Sequence, residues 1–161
     1  MMRPTVRELV AAIAAALESQ VEPMVQDQWA ASVLRSAVQL LGHVGQRVEA
    51  EPRILLEDNT DARRVLGTIA ARLENASLPQ AMRAAITEAL QAPPADWHDL
   101  AALSAGNRGL QRAIELILRH REVLQQTADH DRTASELRAY LMRRLAREHD
   151  LFFPCFTGAP F

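Results

Sequence analysis

The sequence predicts an all-α fold, a mostly antiparallel bundle of five to seven helices with a non-helical aromatic tail. Apolar residues recur at helical spacing along most of the 161 residues. No segment has the alternation of apolar and polar residues that marks a half-buried strand. Short breaks rich in proline, glycine and asparagine separate the helical stretches. We expect one domain over residues 1–150, because a chain of this length buries a sizeable core, and a tail over residues 151–161.

The first helix is predicted to begin at a capping box formed by Thr5 and Glu8 and to end or kink at Pro23. A second helix is expected from about residue 27 to residue 50. Both helices carry an apolar stripe that we expect to be buried. The stripes consist of Val6, Leu9, Val10, Ile13, Leu17 and Val21, and of Trp29, Val33, Leu34, Ala37, Leu40, Leu41, Val44 and Val48.

A third segment is expected to start at Pro52, with a break and a new cap at residues 58–60 (Asp-Asn-Thr). Ser77 is predicted to cap a fourth helix, and Asp96 to cap the one after the breaker at residues 92–95 (Ala-Pro-Pro-Ala). Residues 106–109 (Gly-Asn-Arg-Gly) predict an interruption, and a last helix is expected over residues 133–149. The expected inward residues are Val65, Leu66, Ile69, Leu73, Met82, Ile86, Leu90, Leu110, Ile114, Ile117, Leu124, Leu137, Tyr140, Leu141 and Leu145.

All four phenylalanines lie in the last ten residues, beside two prolines and a glycine that prevent a regular helix. Leaving their rings in water would cost several kcal/mol at the usual area coefficient. We therefore expect the tail to pack either across its own bundle or onto another subunit or partner. The residues concerned are Phe152, Phe153, Phe156 and Phe161.

Composition excludes several classes of chemistry. The chain has no lysine, so it cannot use a Schiff-base lysine or a phosphate-loop lysine, and its arginine and alanine usage is typical of a GC-rich bacterial genome. The single cysteine, Cys155, excludes a disulfide within the chain and a zinc finger. No Glu-x-x-His, His-Glu-x-x-His or Gly-x-Ser-x-Gly motif is present. We expect no metal and no cofactor.

Charge and hydropathy give expectations about partners and location. The net charge of −2 does not favour nucleic acid. The apolar run at residues 9–17 is too short to span a bilayer, and the helical pattern continues past it, which disfavours a signal peptide. We therefore expect a cytoplasmic protein that binds neither nucleic acid nor membrane.

Six polar residues are candidates for a ligand site. His43, Arg47 and Glu51 fall on one line of the second helix, at i, i+4 and i+8, and such a line could reach Asp58 in the next segment. An exposed ladder of helix ion pairs explains the same spacing. The remaining candidates, His120 and His149, border apolar stripes. Residues 106–109 could also cradle a phosphate at a helix N-terminus, but a helix-breaking turn is the favoured explanation of them.

The N-terminal part resembles an uncharacterised family of small helical bacterial proteins. The resemblance rests on the opening Arg-Pro-Thr of residues 3–5 with Glu8-Leu9, on Leu40-Leu41 followed by His43, and on the pair at residues 58–59. Members are often encoded beside acyl-CoA dehydrogenases and phosphotransferase-like kinases. The resemblance therefore implies an accessory role near acyl-CoA or phosphotransfer metabolism, and it supplies no catalytic residues.

These observations favour a non-catalytic helical protein that acts through self-association or through binding a partner protein. The alternative is a bundle that binds a small ligand or catalyses a reaction at an internal polar site around His43 and Arg47. The missing catalytic motifs make an enzyme the less favoured reading.

Overall fold

The computed structural model describes residues 4–74, 76–125 and 127–151, and every regular element in these ranges is helical. The predicted all-α class is therefore confirmed for this part of the chain. The predicted aromatic tail, with its four phenylalanines, lies outside the described residues. The six α-helices within them are α1 (Val6–Ala16), α2 (Gln28–Arg72), α3 (Gln80–Gln91), α4 (Leu100–Arg119), α5 (Arg121–Gln125) and α6 (His130–His149).

Local capping chemistry sets several helix starts. The Thr5 hydroxyl accepts from the Glu8 amide at 3.2 Å, and the Glu8 carboxylate accepts from the Thr5 amide at 2.7 Å, which confirms the capping box. A π-helical turn (Leu17–Val21) and a 3-10 turn (Glu22–Met24) follow α1, and the helical run ends at Met24, next to the predicted end at Pro23. Asp27 caps α2 by accepting from the Ala30 amide at 2.7 Å.

Two other predicted caps are wrong. Asp99, and not Asp96, caps α4 by accepting from the Ala102 amide at 2.8 Å, while Asp96 accepts from the amide of His98 inside the preceding loop. Ser77 does not cap α3, whose N-cap residue is Pro79 and has no side-chain hydrogen bond.

The three predicted interruptions inside α2 and α4 are also wrong. Helix α2 runs without interruption through Pro52 and residues 58–60, and α4 runs through residues 106–109. The reason is that the side chains of Asp58 and Asn59 bond to other helices and do not compete for their own backbone. Thr60 donates to the Leu56 carbonyl one turn back, a bond that an α-helix tolerates.

The chain divides into two compact units, and the division falls at Pro52 inside α2. Unit 1 comprises the described residues up to Glu51 together with those from Glu148 onward. Unit 2 is Pro52–Arg147. The expectation of a single domain over residues 1–150 stays a prediction.

Unit 2 has a continuous hydrophobic core built by α2, α3, α4, α5 and α6. The inward residues predicted for this region are buried with three exceptions: Leu90 is half-buried, while Leu141 and Leu145 are exposed. On α6 the i+4 series from Leu137 advances about 40° around the helix at each step. Leu141 and Leu145 therefore leave the core line that Leu137 and Tyr140 occupy.

Unit 1 is an antiparallel hairpin of α1 and the N-terminal part of α2. Arg7 pairs with Glu49 at 2.8 Å near one end of the hairpin, and Glu22 pairs with Arg35 at 3.1 Å near the other. Between them Val10 packs over Gly45, where a Cβ would lie 3.6 Å from the Val10 side chain. A side chain as small as alanine would therefore fit at this crossing with an ordinary van der Waals contact.

The predicted burial of the two N-terminal stripes is wrong. The buried residues among the described part of unit 1 are only Ala31 and Gly45. Each helix covers one side of the other, and the exposed members of the stripes lie off that contact line. The exposed members of the stripes are Val6, Leu9, Ile13, Val21, Trp29, Val33, Ala37, Leu40, Val44 and Val48, whereas Val10, Leu17, Leu34 and Leu41 are half-buried.

Candidate functional site

A buried polar cluster lies within unit 2 and is centred on Asp58. This side chain is 7% exposed and lies on the inner face of α2. Arg147 of α6 donates to Asp58 Oδ1 at 2.6 Å, and Asn107 of α4 donates to Oδ2 at 2.8 Å. Gln111 donates to the same Oδ2 at 3.1 Å. We call Asp58, Asn107, Gln111, Tyr140 and Arg147 the Asp58 cluster.

Tyr140 completes the cluster from α6. Its hydroxyl lies 3.3 Å from each oxygen of Asp58 and accepts a hydrogen bond from the Gln111 amide. Arg144 in turn donates to the side-chain carbonyl of Gln111. Burial, and then the negative charge of Asp58, raise the pKa of Tyr140 to about 12. The phenol therefore stays protonated at neutral pH and holds its proton as a donor to Asp58.

Asp61 binds three arginines one turn further along α2. Arg143 donates to both of its oxygens at 2.9 Å, Arg64 donates at 3.0 Å, and Arg147 lies 3.2 Å from Oδ2. Burial alone would raise the pKa of Asp61, but the hydrogen bonds from Arg143 and Arg64 outweigh it and lower the pKa to about 2. Arg147 therefore bridges two acidic residues.

This arrangement holds helices of unit 2 together and leaves few polar groups available to bind a substrate. Both oxygens of Asp58 accept bonds from within the protein, as does Asp61. Across the described residues, Arg147 Nε is the buried side-chain polar atom without a hydrogen-bond partner. Because α2, α4 and α6 each supply a member, the Asp58 cluster fixes their relative rotation within unit 2.

The structure separates the predicted polar line into different settings. In unit 1, Arg47 donates to Glu51 at 2.7 Å and 3.1 Å, and its side chain is 52% exposed. His43 is half-buried in the same unit. Asp58 belongs to unit 2, where its contacts are those of the Asp58 cluster. The ion pair on one helix is the arrangement that the exposed ladder predicts.

The other candidates lie apart from the Asp58 cluster. His120 is half-buried, and its Nδ1 lies 3.1 Å from Glu122. His149 is exposed near the end of α6. Residues 106–109 lie inside α4, so they do not form a helix N-terminus, and the phosphate-cradle hypothesis is wrong.

Sequence reasoning missed the partners of Asp58, which are Asn107, Gln111, Tyr140 and Arg147. A signal was present. Asn107 and Gln111 stand four residues apart and in register with the apolar stripe of Leu103, Leu110 and Ile114. Polar residues inside such a stripe must find a hydrogen-bond partner, because an unpaired buried group costs about 1–3 kcal/mol.

Two open grooves lie on unit 2. One, of about 420 Å³, is lined by Leu56, Pro93 and Leu103, with Asn59 and Arg63 as polar members. Arg63 donates to the Leu90 carbonyl and Asn59 to the Leu103 carbonyl, so both are engaged. The other, of about 430 Å³, is mainly apolar and includes His130. Within the described ranges no three histidine, cysteine or acidic side chains are placed to hold a metal ion.

The most exposed apolar surface lies on the hairpin of unit 1. We define the hairpin face as Val6, Leu9 and Ile13 of α1 with Trp29, Val33, Leu40, Val44 and Val48 of α2. Trp29 is 81% exposed, Val33 is 69% exposed and Leu40 is 64% exposed. Between Asp27 and Arg47 the only charged residue is Arg35, which already pairs with Glu22. The face is therefore apolar and almost free of charge.

No helix in the described part of the chain combines the length and the hydropathy that a membrane span requires. Comparison with protein-family models, with curated proteins and with solved structures finds no match to this chain.

Proposed function

We propose that this is a non-catalytic helical protein that acts through self-association or through binding a partner protein, and that the hairpin face is its binding surface. The observation that carries this proposal is the contrast within unit 1. Ten large apolar side chains are exposed in the hairpin, at 41% to 81%, whereas the buried residues of its described part are an alanine and a glycine.

The physical reason is the cost of leaving that surface in water. A two-helix hairpin with no large buried side chain gains little free energy from its own packing. Contiguous exposed apolar patches of several hundred Å² on a folded protein typically mark an interaction site. Covering the hairpin face would supply the hydrophobic burial that unit 1 lacks.

The alternative function, an internal polar site around His43 and Arg47, has less support. Arg47 is half exposed and already bonded to Glu51 through both carboxylate oxygens. In unit 2 the Asp58 cluster satisfies its acidic groups internally, and Tyr140 holds its proton. Tyr140, with its pKa raised to about 12, is therefore not a proton acceptor near neutral pH, where general acid–base catalysis requires one.

The proposed setting follows from the sequence. The resemblance of the N-terminal part supports an accessory role near acyl-CoA or phosphotransfer metabolism. The small net negative charge supports a partner that is a protein and not a nucleic acid. We place the protein in the bacterial cytoplasm on the same compositional grounds, with no cofactor.

Hydrogen exchange of the backbone amides tests the proposal. In a dilute sample that sediments as a monomer, we expect α1 and residues 28–48 to exchange much faster than residues 62–73, because only the latter lie in a core. The residues in α4 provide an internal control for overall folding. A monomer whose hairpin is protected as strongly as residues 62–73 would show that the hairpin face needs no partner, and the proposal would then be wrong.

A further inference from the structure

The uncovered apolar residues of the hairpin have the spacing of helix-packing seams. On α2, Val33, Ala37, Leu40 and Val44 follow one another at intervals of four, three and four residues. On α1, Val6, Leu9 and Ile13 follow at three and four. Alternation of three and four is the spacing that lets one helix pack along another in left-handed bundles. Each helix therefore presents a seam for one more helix.

Helical geometry places both seams on the same side of the hairpin. The contact between the helices runs through Arg7 and Val10 on α1 and through Gly45 and Glu49 on α2. At about 100° per residue, each seam lies about a third of a turn away from this contact line. The rotation has the same direction in both helices when each is viewed from its own N-terminus. Because the two helices are antiparallel, equal rotations place both seams on the same side of the pair. The hairpin face is thus one continuous surface.

The composition of this surface argues for an identical partner. A partner selected by opposite charge would need charges to meet, and the hairpin face has none of its own. An apolar seam with regular spacing is complementary to a copy of itself across a two-fold axis. A membrane is the weaker alternative, because membrane-surface helices carry a cationic polar face. Residues 4–51 contain six acidic residues and three arginines.

The exposed area matches what a stable dimer buries. A fully exposed aliphatic side chain presents roughly 60–120 Å², and a tryptophan about 200 Å². Weighted by exposed fractions of 43% to 81%, the eight side chains of the hairpin face present roughly 500 Å². A standard interface buries about 800 Å² per partner, of which about 65% is apolar in homodimers.

We infer that the hairpin face is covered by the hairpin face of a second copy, so that two hairpins form a four-helix bundle about a two-fold axis. The inference rests on the proposed function and specifies its partner. In this assembly Val33, Leu40 and Val44 occupy the central layers, with Leu9 and Ile13 of α1 beside them.

Analytical ultracentrifugation of the full chain tests the inference. The wild-type chain is expected to sediment at twice its monomer mass of 17.9 kDa at micromolar concentration. Leu40→Glu places a charge in the apolar seam, and its dissociation constant is expected to rise by about 100-fold or more. Leu145→Glu is the matched control, because Leu145 is 61% exposed, close to the 64% of Leu40, and belongs to unit 2 and not to the hairpin face.

Each result decides between the possibilities. A dimer that survives both substitutions, or that both substitutions dissociate equally, overturns the inference. So does a monomeric wild-type chain, and hydrogen exchange then separates two cases. A monomer with a rapidly exchanging hairpin means that a different protein covers the face, and the proposed function stands. A monomer with a protected hairpin overturns both. If the monomer binds anionic vesicles and the Leu40→Glu variant does not, a membrane and not a second copy covers the hairpin face.

Discussion

Asp58 accepts hydrogen bonds from four side chains on two other helices, and Arg147 lies between it and Asp61. At the scale of single residues this is the most constrained point of unit 2. A buried ion pair adds little net stability compared with an apolar pair of the same shape. Removal of one partner is costly, because the other charge then stays buried without compensation.

Replacing Asp58 therefore gives a prediction about the stability of the protein. Asp58→Ala leaves Arg147, Tyr140 and the amides of Asn107 and Gln111 without their common acceptor. We expect the free energy of unfolding to fall by about 3 kcal/mol, at the lower end of the range because Arg147 keeps Asp61. Urea unfolding followed by circular dichroism measures the change.

The neighbouring residue provides the control. Glu57 has the same charge type on the same helix, but its side chain is 47% exposed and pairs with Arg53 at i, i+4. Glu57→Ala should change the free energy of unfolding by no more than about 0.5 kcal/mol. If both substitutions had the same small effect, the Asp58 cluster would not be a stabilising contact.

The depressed pKa of Asp61 predicts how acid affects stability. Its pKa is about 2 in the folded protein and 3.8 for an unperturbed group. Because this pKa is lower in the folded protein, ionised Asp61 adds to the free energy of unfolding. This contribution is fully present above about pH 4 and is lost as the pH falls through 2. Its size is of the order of 2 kcal/mol.

Asp61→Asn is expected to be less stable than the wild type by this amount at pH 7, and the difference should close between about pH 4 and pH 2. Denaturant titrations at intervals of half a pH unit measure it. A difference that stays constant down to pH 2 would assign the effect of the substitution to packing and not to ionisation.

Single residues also show where sequence reasoning stops. Asp58 was a candidate because it could extend a line from His43, yet its partners come from α4 and α6. They lie 49 to 89 residues away along the chain. Helical periodicity shows which side of a helix is apolar. It does not show which distant side chain will meet a polar residue on that side.

At the scale of helices, local rules worked where the chemistry is local. The predicted capping box at Thr5 depends on residues within one turn and is confirmed, and the helix expected from about residue 27 begins at Gln28. The breaks at residues 58–60 and 106–109 were predicted because Asp, Asn and Gly have low helix propensity. The predictions are wrong because tertiary hydrogen bonds decide the conformation of these residues. Asn107, for example, donates to both Asp58 and Asn59.

The glycines inside α4 provide a prediction about helix stability. A Cβ at Gly109 would meet no neighbouring atom within 4 Å, and the residue is exposed inside a continuous helix. Gly109→Ala should raise the free energy of unfolding by about 0.5–1 kcal/mol, because alanine loses less backbone entropy on folding. Thermal and urea unfolding measure it.

The reverse substitution in the same helix is the control. Ala105 is exposed in α4, and Ala105→Gly should lower stability by a similar amount. A loss of stability in Gly109→Ala would indicate that residues 106–109 depart from regular helix in solution, as the sequence alone predicted.

At the scale of the whole molecule, the two units differ in how far pattern predicted burial. In unit 2 the stripes on α2, α3, α4 and α6 cover one another, and most of their predicted members are buried. In unit 1 the same kind of stripe is exposed. Helical periodicity indicates that an apolar stripe is to be buried, but it does not indicate whether the same copy of the chain buries it.

The long sequence separations in the Asp58 cluster have a kinetic consequence. Closing a loop of 49 to 89 residues must precede the bonds that stabilise it, whereas helix contacts between sequence neighbours such as α3 and α4 form across short loops. We therefore expect the bonds to Asp58 to form after the rate-limiting step of folding. Asp58→Ala should then accelerate unfolding and leave the folding rate nearly unchanged, which stopped-flow unfolding and refolding in urea would measure.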